Sequence, residues 1–322
     1  MAERRPNILI TGGAGYLGSH LCGELLYRGH AVTIVDSLIH GGNSLLAYRT
    51  HPRFAFHKAD VRDGQAMRPF FEGIEAVVHL AAVVGYSACA QAGEECSYGV
   101  NLEGTKNVFE LAEAAGARRL VFSSTYSNYG VSPDGLPVNE ESPLSPQSLY
   151  ADTKIAAERF LLERAAASAC APVILRFSTV FGPSPRTRFD LIINQFVWQA
   201  VTEKKLVIYQ KDYNRSFVHV GDISRAVMAA LDASEDKTRG RIFNVGRNDG
   251  NYTKAEIVSL IEREVPGLLV EYRDLSFDGD MRDVRVSFDR IERTLGWKAR
   301  VSVPEGVREM VDLIRSGMLK KI

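Results

Sequence analysis

No run of apolar residues in this chain approaches the roughly 20 that a membrane-spanning helix needs, so a spanning protein is not expected. The start, Met-Ala-Glu-Arg-Arg-Pro, leads into an apolar strand without the apolar stretch of a signal peptide, and a soluble cytoplasmic protein is expected. Cysteine is scarce. Cys22, Cys89, Cys96 and Cys170 are scattered without C-x-x-C spacing, which argues against a zinc site or a disulfide framework and for reduced, small apolar side chains. An excess of one charge is missing too: 39 Lys and Arg balance 39 Asp and Glu, giving no support for a nucleic-acid or membrane-surface partner. A local basic pocket for phosphate would stay hidden in that sum. Internal repeats and low-complexity segments are absent, and no metal site is suggested.

What is present is a chain of 322 residues with 45% hydrophobic content, enough to bury a large core in one large domain or two intimately joined ones. It is organised around Asn7-Ile-Leu-Ile-Thr-Gly-Gly-Ala-Gly-Tyr-Leu-Gly-Ser-His-Leu21. Residues 8–11 read as a buried strand, and Gly12, Gly15 and Gly18 fall at a strand-to-helix turn, where the backbone bends tightly and approaches a ligand closely. Such a turn aims backbone N–H groups and a helix N-terminus at an anion, most often a dinucleotide pyrophosphate. A second strand, Ala31-Val-Thr-Ile-Val-Asp36, ends in an acid about twenty residues after the loop, where a ribose hydroxyl would sit. A tight turn without ligand is the alternative, and the acid at that spacing weighs against it.

Helical periodicity over 16–28 breaks at Gly29, and a strand at 32–35 completes a βαβ unit. A polar, Gly-rich connection fills 37–53. A third strand, 54–60, ends at Asp60-Val61, where an acid can reach the exocyclic amine of adenine; capping the helix near Gly64 is the competing role, better suited to Asp63. A fourth buried strand, 75–82, ends in small residues that leave room for a flat cofactor. His79 within it reads as a packed core histidine rather than a ligand. Residues 98–115 are helical, and the fifth strand, 119–124, releases Ser123, Ser124 and Thr125 into the crevice at the sheet's carboxyl edge. The alternation predicts an α/β fold, a Rossmann-type doubly wound parallel sheet. The long loop 126–148 reads as functional. After a strand at 172–177, proline and arginine punctuate 182–188; a helix around 189–201 and short strands near 206–209 and 216–218 follow. The expected division is a dinucleotide-binding domain over 1–177, with segments at about 212–245 interleaved, and a smaller C-terminal α/β substrate-binding lobe formed mainly by 178–322.

The helix expected over 149–168 presents Tyr150 and Lys154 at spacing i, i+4, one turn apart on one face. A tyrosine, with an ordinary pKa near ~10, needs help to act as a base at neutral pH. The lysine supplies it: its charge favours the phenolate, and its ammonium can also bind the cofactor's ribose. Thr125 can share a hydrogen bond at the same substrate oxygen. Together the three would form a proton-handling site beside a nicotinamide.

The chain resembles an extended short-chain dehydrogenase/reductase of the group that includes nucleotide-sugar epimerases and dehydratases. The resemblance covers nearly the whole length: Thr11-Gly-Gly-Ala-Gly-Tyr-Leu-Gly18, Asp36, Asp60-Val61, His79-Leu-Ala-Ala82, Asn101-x-x-Gly-Thr105, Ser123-Ser-Thr125 with Tyr129-Gly130, Tyr150-x-x-x-Lys154, Arg176 with Phe181-Gly-Pro183, and Arg215-x-Phe-x-His-Val-x-Asp222. It implies a bound NAD that abstracts a hydride from a sugar carbon, usually C4, while Tyr150 removes the hydroxyl proton, Lys154 assists and Thr125 positions the oxygen. The implied cofactor set is Gly12, Gly15, Tyr16, Leu17, Asp36, Ser37, Asp60, Val61, Leu80, Ala81, Ala82, Asn101, Ser123, Tyr150, Lys154 and Phe177, with 80–82, Ser123 and Phe177 on the nicotinamide side. The implied substrate set is Tyr86, Thr125, Tyr126, Thr179, Asn194, Arg215 and Arg282. Arg215 and Arg282 match arginines that grip the diphosphate of a nucleotide sugar; for Arg282 an ion pair with Asp280 or Asp283 is the competing role. Asp36-Ser37 without an arginine at that turn favours NAD over NADP, since a carboxylate repels a 2′-phosphate.

The reaction turns on residues 126 and 127. Dehydratases and decarboxylating relatives commonly carry glutamate two residues after the threonine, sometimes preceded by aspartate; here Tyr126 and Ser127 stand there, which lowers the dehydratase reading and favours a simple C4 epimerase, with a 4,6-dehydratase or an NAD(P)H-dependent keto-sugar reductase as the alternatives. Tyr126 is a candidate second acid/base, with packing or a steric wall the more expected role. Val84 stands where some galactose epimerases carry lysine, Thr179 where asparagine is frequent, and the Arg186/Arg188 pair could meet an acidic sugar or lie in a solvated loop. In the family the helices matching 98–115 and 149–168 build a four-helix dimer interface, so a homodimer is expected; by sequence alone they could equally face the sheet.

Overall fold

The computed structural model describes residues 5–132, 135–273 and 283–321. Among them run β1 (Asn7–Thr11), β2 (Ala31–Asp36), β3 (Phe54–Lys58), β4 (Ala76–His79), β5 (Arg119–Thr125), β6 (Ala171–Phe177), β7 (Thr179–Phe181), β8 (Lys205–Tyr209), β9 (Asn214–His219), β10 (Arg241–Val245), β11 (Asn251–Thr253) and β12 (Leu269–Arg273). Seven of these strands form one sheet in the order β10-β6-β5-β4-β1-β2-β3, with every pair parallel. A parallel sheet is covered on both faces, which explains why Ile8, Leu9 and Ile10 are all fully buried although they point alternately up and down. The helices Tyr16–Tyr27 and Val220–Asp232 cover one face through Leu21, Leu25, Ile223 and Val227. Gly104–Ala114 and Leu149–Ala165 cover the other through Val108, Phe109, Ala157 and Leu161. This is the doubly wound architecture that the alternation predicts.

From β1 the chain builds outward to β2 and β3 on one side and to β4, β5, β6 and β10 on the other. Strand order therefore reverses between β1 and β4, where a crevice opens beyond the carboxyl ends of the strands. The lobe stands over that edge. It holds a three-stranded sheet, β11-β9-β7, and the parallel pair β12-β8. Its core is a separate cluster of Phe181, Ile193, Val197, Phe217, Ile257, Val307 and Val311, drawn largely from the helices Ile192–Thr202, Lys254–Glu264 and Val303–Arg315.

Two placements differ in detail from the sequence reading. β9, inside the segment expected to rejoin the main sheet, pairs with β7 and β11 in the lobe; the helix Val220–Asp232 and β10 are what return. In the other direction, Val284, Val286, Phe288, Ile291 and Trp297 join the core of the main sheet. The helix expected over 98–115 is also not uniform, since it widens over Gly99–Glu103 before Gly104–Ala114. Gly104 lies where a Cβ would stand 2.6 Å from Val61 Cγ2, so helix and β3 exit approach too closely for a side chain. The four cysteines are free, three of them buried. Among the described residues no helix is long and apolar enough to cross a membrane and no group of side chains suited to a metal is present.

Candidate active site

The glycine loop follows β1, and each glycine answers a different crowding. Gly12 has φ 71°, and a Cβ there would fall 2.7 Å from the backbone nitrogen of Ala81. At Gly18 a Cβ would meet the Gly12 carbonyl oxygen at 2.5 Å, so loop and helix touch backbone to backbone. Gly15 is different: a Cβ there would contact only the Gly12 oxygen, at 3.1 Å, and otherwise face the cavity, which is where a diphosphate must come close. Asp36, at the end of β2, accepts from the backbone N–H of Ala14 at 3.0 Å and of Leu38 at 2.8 Å. Those bonds fix the carboxylate at the cavity wall with lone pairs left for ribose hydroxyls. Asp60, further along, lines the cavity and is paired with Arg62 at 2.7 Å, which holds its carboxyl below the usual range; Asp63 is the residue that caps the next helix, accepting from Ala66 N.

His79 is a core residue, as its place inside β4 suggests. Thr105 Oγ1 donates to the Asn101 carbonyl and so accepts from His79 Nε2–H, leaving Nδ1 to accept from Thr11 Oγ1 at 2.6 Å. Burial pushes its pKa down to about 3, and the ring is neutral. It braces the strand end at which Leu80, Ala81 and Ala82 line the cavity. Asn101, expected at the cofactor, does not line the cavity. Its amide clamps the Val83 backbone through Oδ1 and Nδ2 and reaches Thr153 Oγ1 at 2.9 Å, tying the β4 exit to the tyrosine helix.

That helix, Leu149–Ala165, starts where Ser148 Oγ accepts from Ala151 N. Tyr150 and Lys154 both line the cavity, with Ser123, Thr125, Tyr126 and Phe177 around them. Lys154 is fully buried; its Nζ donates to the Ser123 carbonyl at 2.9 Å and lies 4.6 Å from the centre of the Phe122 ring. Burial pushes its pKa down to about 8, so its charge is held ready for a nearby anion rather than dispersed in solvent. Thr125 Oγ1 donates to Ser127 Oγ at 2.9 Å and accepts from Ser127 N at 3.1 Å. Tyr126 shares a 2.7 Å hydrogen bond with Thr179 Oγ1, linking the sheet's edge to β7 across the cavity wall.

Behind these groups lies a network with less sequence signal. Glu158, one turn past Lys154, accepts from Ser124 Oγ, from Asn128 Nδ2 at 2.9 Å and from Arg176 through both Nε and a terminal nitrogen. Arg176 continues to Tyr129 Oη at 2.9 Å, which donates to Asn244 Oδ1. Burial works against the Arg176 charge, and the Glu158 carboxylate more than restores it. The spacing of Tyr150, Lys154 and Glu158, four residues each, is the clue that all three share a helix face.

The lobe supplies the opposite wall through Thr179, Val180, Arg186, Arg188, Asp190 and Leu191, and the whole cavity measures ≈ 720 Å³. Of the residues read as cofactor or substrate contacts, Gly12, Gly15, Leu17, Asp36, Ser37, Asp60, Val61, Tyr86 and Phe177 line it. Tyr16 lines it too, but its hydroxyl donates away from the loop, to the Gly182 carbonyl at 2.7 Å. Asn194 and Arg215 do not line it. Asn194 braces the 182–188 loop by accepting from Gly182 N and donating to Arg188 O, and Arg215 is buried on β9 with a terminal nitrogen on the Asn214 carbonyl. Arg282 lies outside the described residues.

A family model described as the NAD dependent epimerase/dehydratase family matches residues 8–246. The chain belongs to that family. The UDP-glucose 4-epimerase of Bacillus subtilis (strain 168) is 31% identical over 323 residues, spanning 92% of this chain and 94% of that protein. The solved structure of a UDP-glucose 4-epimerase with UDP-glucose from Thermotoga maritima is similar with a TM-score of 0.85 at 26% identity, covering 97% of this chain and 100% of that one. DesIV, a dTDP-glucose 4,6-dehydratase from Streptomyces venezuelae with NAD and TYD bound, gives a TM-score of 0.85 at 28% identity, covering 96% and 97%. An epimerase and a dehydratase are thus equally similar in fold, and this family member's own side chains have to separate the two reactions. Its cavity fits NAD: the open approach at Gly15, the backbone-fixed Asp36 and the small Ala81 and Ala82 form a cradle that larger side chains would fill.

Proposed function

We propose that this chain is an NAD-dependent nucleotide-sugar 4-epimerase. The observation that carries the reading is the chemistry after Thr125. Similar dehydratases commonly carry a carboxylate there; this chain has a phenol bonded to Thr179 and a serine bonded to Thr125. The three carboxylates that line the cavity are engaged elsewhere, Asp36 with backbone N–H groups, Asp60 with Arg62 and Asp190 with Arg188.

When bound, NAD supplies reversible hydride acceptance, so that a sugar carbinol passes through a ketone and back. Tyr150 accepts the hydroxyl proton as the carbonyl forms and returns it on reduction. Lys154, desolvated and charged, favours the phenolate through which that proton moves. Thr125 Oγ1, held by the Ser127 N–H, keeps a lone pair for the sugar hydroxyl. The 126–129 turn, Tyr-Ser-Asn-Tyr, carries no carboxylate to take a proton from C5, which favours reduction of the ketone on its other face. Leu80, Ala81, Ala82 and Phe177 wall the nicotinamide side, and Tyr86, Thr179 and Arg188 face the nucleotide sugar.

Incubation with UDP-glucose is the first test, because the Bacillus subtilis relative is a UDP-glucose 4-epimerase and the Thermotoga maritima structure holds UDP-glucose. The expected result is UDP-galactose with no net change in cofactor. A 4-keto-6-deoxy product would establish a dehydratase, and net consumption of NAD(P)H a reductase.

A homodimer built on the helices Gly104–Ala114 and Leu149–Ala165 is part of the same reading. Their inner faces cover the sheet, so the outer faces are what a second copy would meet. The helices lie side by side, joined by the Arg164–Glu113 ion pair, with Phe160 and Leu162 only partly covered. Sedimentation at micromolar concentration is expected to give a dimer, and a monomer refutes it. A cytoplasmic setting suits four free cysteines, since thiols persist in a reducing compartment.

A further inference from the structure

Four lysine or arginine side chains line the cavity: Arg62, Lys154, Arg186 and Arg188. Three are committed. Arg62 pairs with Asp60, Lys154 donates to the Ser123 carbonyl, and Arg188 forks onto Asp190. The Arg186 guanidinium has no ion pair or hydrogen bond among the described residues, although the side chain is half-buried. Burial presses against its charge, and the neighbouring Arg188 adds to that pressure. A guanidinium taken from water without a partner is unfavourable unless an anion completes it.

The segment that carries Arg186 is fastened to the glycine loop's own helix. Tyr16 Oη donates to the Gly182 carbonyl at 2.7 Å, and Ser184 Oγ donates to the Tyr16 carbonyl at 2.6 Å. Ser184 and Thr187 close a tight turn, Ser184 N donating to Thr187 Oγ1 at 2.9 Å and Thr187 Oγ1 to the Ser184 carbonyl at 2.8 Å. The Arg186 backbone N–H is itself held by Ser184 Oγ. The segment therefore keeps its register against Tyr16, the first residue of the helix whose N-terminus faces the diphosphate site. Asp36, on the ribose side of that site, is one of the two carboxylates whose fields reach Arg186, and both are already bonded elsewhere.

We propose that Arg186 grips the diphosphate of the bound dinucleotide, so that the lobe closes the cofactor's cradle from the side facing the glycine loop. A guanidinium fork suits paired phosphate oxygens. The proposal rests on the NAD-dependent reading above. It gives the lobe a second task, cofactor retention, besides holding substrate. The nucleotide sugar also carries a diphosphate; the fastening of the 182–188 segment to Tyr16, at the start of the glycine-loop helix, assigns Arg186 to the dinucleotide.

The test compares wild type with Arg186→Ala, Arg186→Lys and Asp36→Ala, each checked for an unchanged circular dichroism spectrum. Two quantities are read: the rate at which NAD leaves the purified protein during dialysis, and the affinity of the undialysed protein for UDP alone. Loss of a charge-assisted bond corresponds to about tenfold or more, so Arg186→Ala is expected to release NAD at least about tenfold faster with UDP affinity changed by less than about twofold. Arg186→Lys, keeping a point charge without the fork, should fall between. If Arg186→Ala holds NAD like wild type and weakens UDP about tenfold, the guanidinium serves the nucleotide sugar and the proposal is overturned; no change in either quantity overturns it too. Asp36→Ala separates the two levels. NAD lost from Asp36→Ala but not from Arg186→Ala ends the clamp and leaves the NAD reading intact, whereas a wild type that binds no NAD ends both.

Discussion

Tyr150→Phe is expected to lower kcat by about 10³-fold or more while leaving the protein folded and loaded with NAD. General acid–base catalysis by one positioned side chain contributes about 10² to 10⁴, and here one oxygen atom carries it. The substitution keeps the ring that packs at the start of the helix Leu149–Ala165, and the Ser148 cap does not depend on the phenol. The glycine loop and Asp36, which would bind the cofactor, are untouched. The expected signature is therefore a collapse in kcat with NAD content near wild type, read by acid release of NAD and by product formation from UDP-glucose. Tyr126 is the obvious rival, since it too lines the cavity. Its hydroxyl, however, is shared with Thr179, and it lacks a lysine one turn away on its own element. Tyr126→Phe should cost far less, through a loosened wall rather than a lost proton carrier. If Tyr150→Phe keeps more than about a tenth of wild-type kcat, the proton travels by another route and the assignment fails.

The parts of the site that are legible in sequence are those whose geometry is local. A strand followed by Gly12, Gly15 and Gly18 can only turn tightly, and residues 150 and 154 share a helix face whatever lies around them. Asp36 is nearly local, because parallel neighbours β1 and β2 end side by side. What the sequence does not show are contacts made by tertiary packing. Asn101, within a recurring motif, and Asn194 both read as ligand contacts, yet their amides are spent inside the protein, chiefly on the Val83 backbone and the 182–188 loop. Tyr16 likewise sends its hydroxyl into the lobe. The Tyr126–Thr179 bond joins positions 53 apart, and the partnerless Arg186 becomes visible only once the other cavity cations are seen to be paired. The sheet that β9 joins is hidden for a related reason: a short apolar strand fits the edge of either sheet, and its pairing with β7 and β11 decides which.

Arg176→Met is expected to destabilise the fold by about 3 to 5 kcal/mol, the usual consequence of removing one partner from a buried ion pair. Arg176 and Glu158 are 2% and 3% exposed, so water replaces neither partner. Without the guanidinium, Glu158 keeps only Ser124 Oγ and Asn128 Nδ2, two neutral donors facing a full charge in a dry site. Tyr129 Oη loses a donor as well, and its ring loses the cation 5.0 Å above it. The deficit carries a pH signature whose sign follows from linkage. In the variant the Glu158 carboxyl, buried and unpaired, has a folded-state pKa raised above its unfolded value. The folded state then binds a proton more readily than the unfolded one, and the deficit shrinks as pH falls toward the acid range. Denaturant unfolding of wild type and variant at several pH values measures it. Pairing Arg176→Met with Glu158→Leu should recover much of the loss, because no buried charge is then left alone. Should the single variant lose no stability, or lose more as pH falls, Glu158 is not held as a carboxylate by Arg176. The consequence reaches the active site, since Ser124 adjoins Thr125 and Asn128 belongs to the turn that carries Tyr126. Loosening Glu158 loosens the wall on which the reaction reading depends.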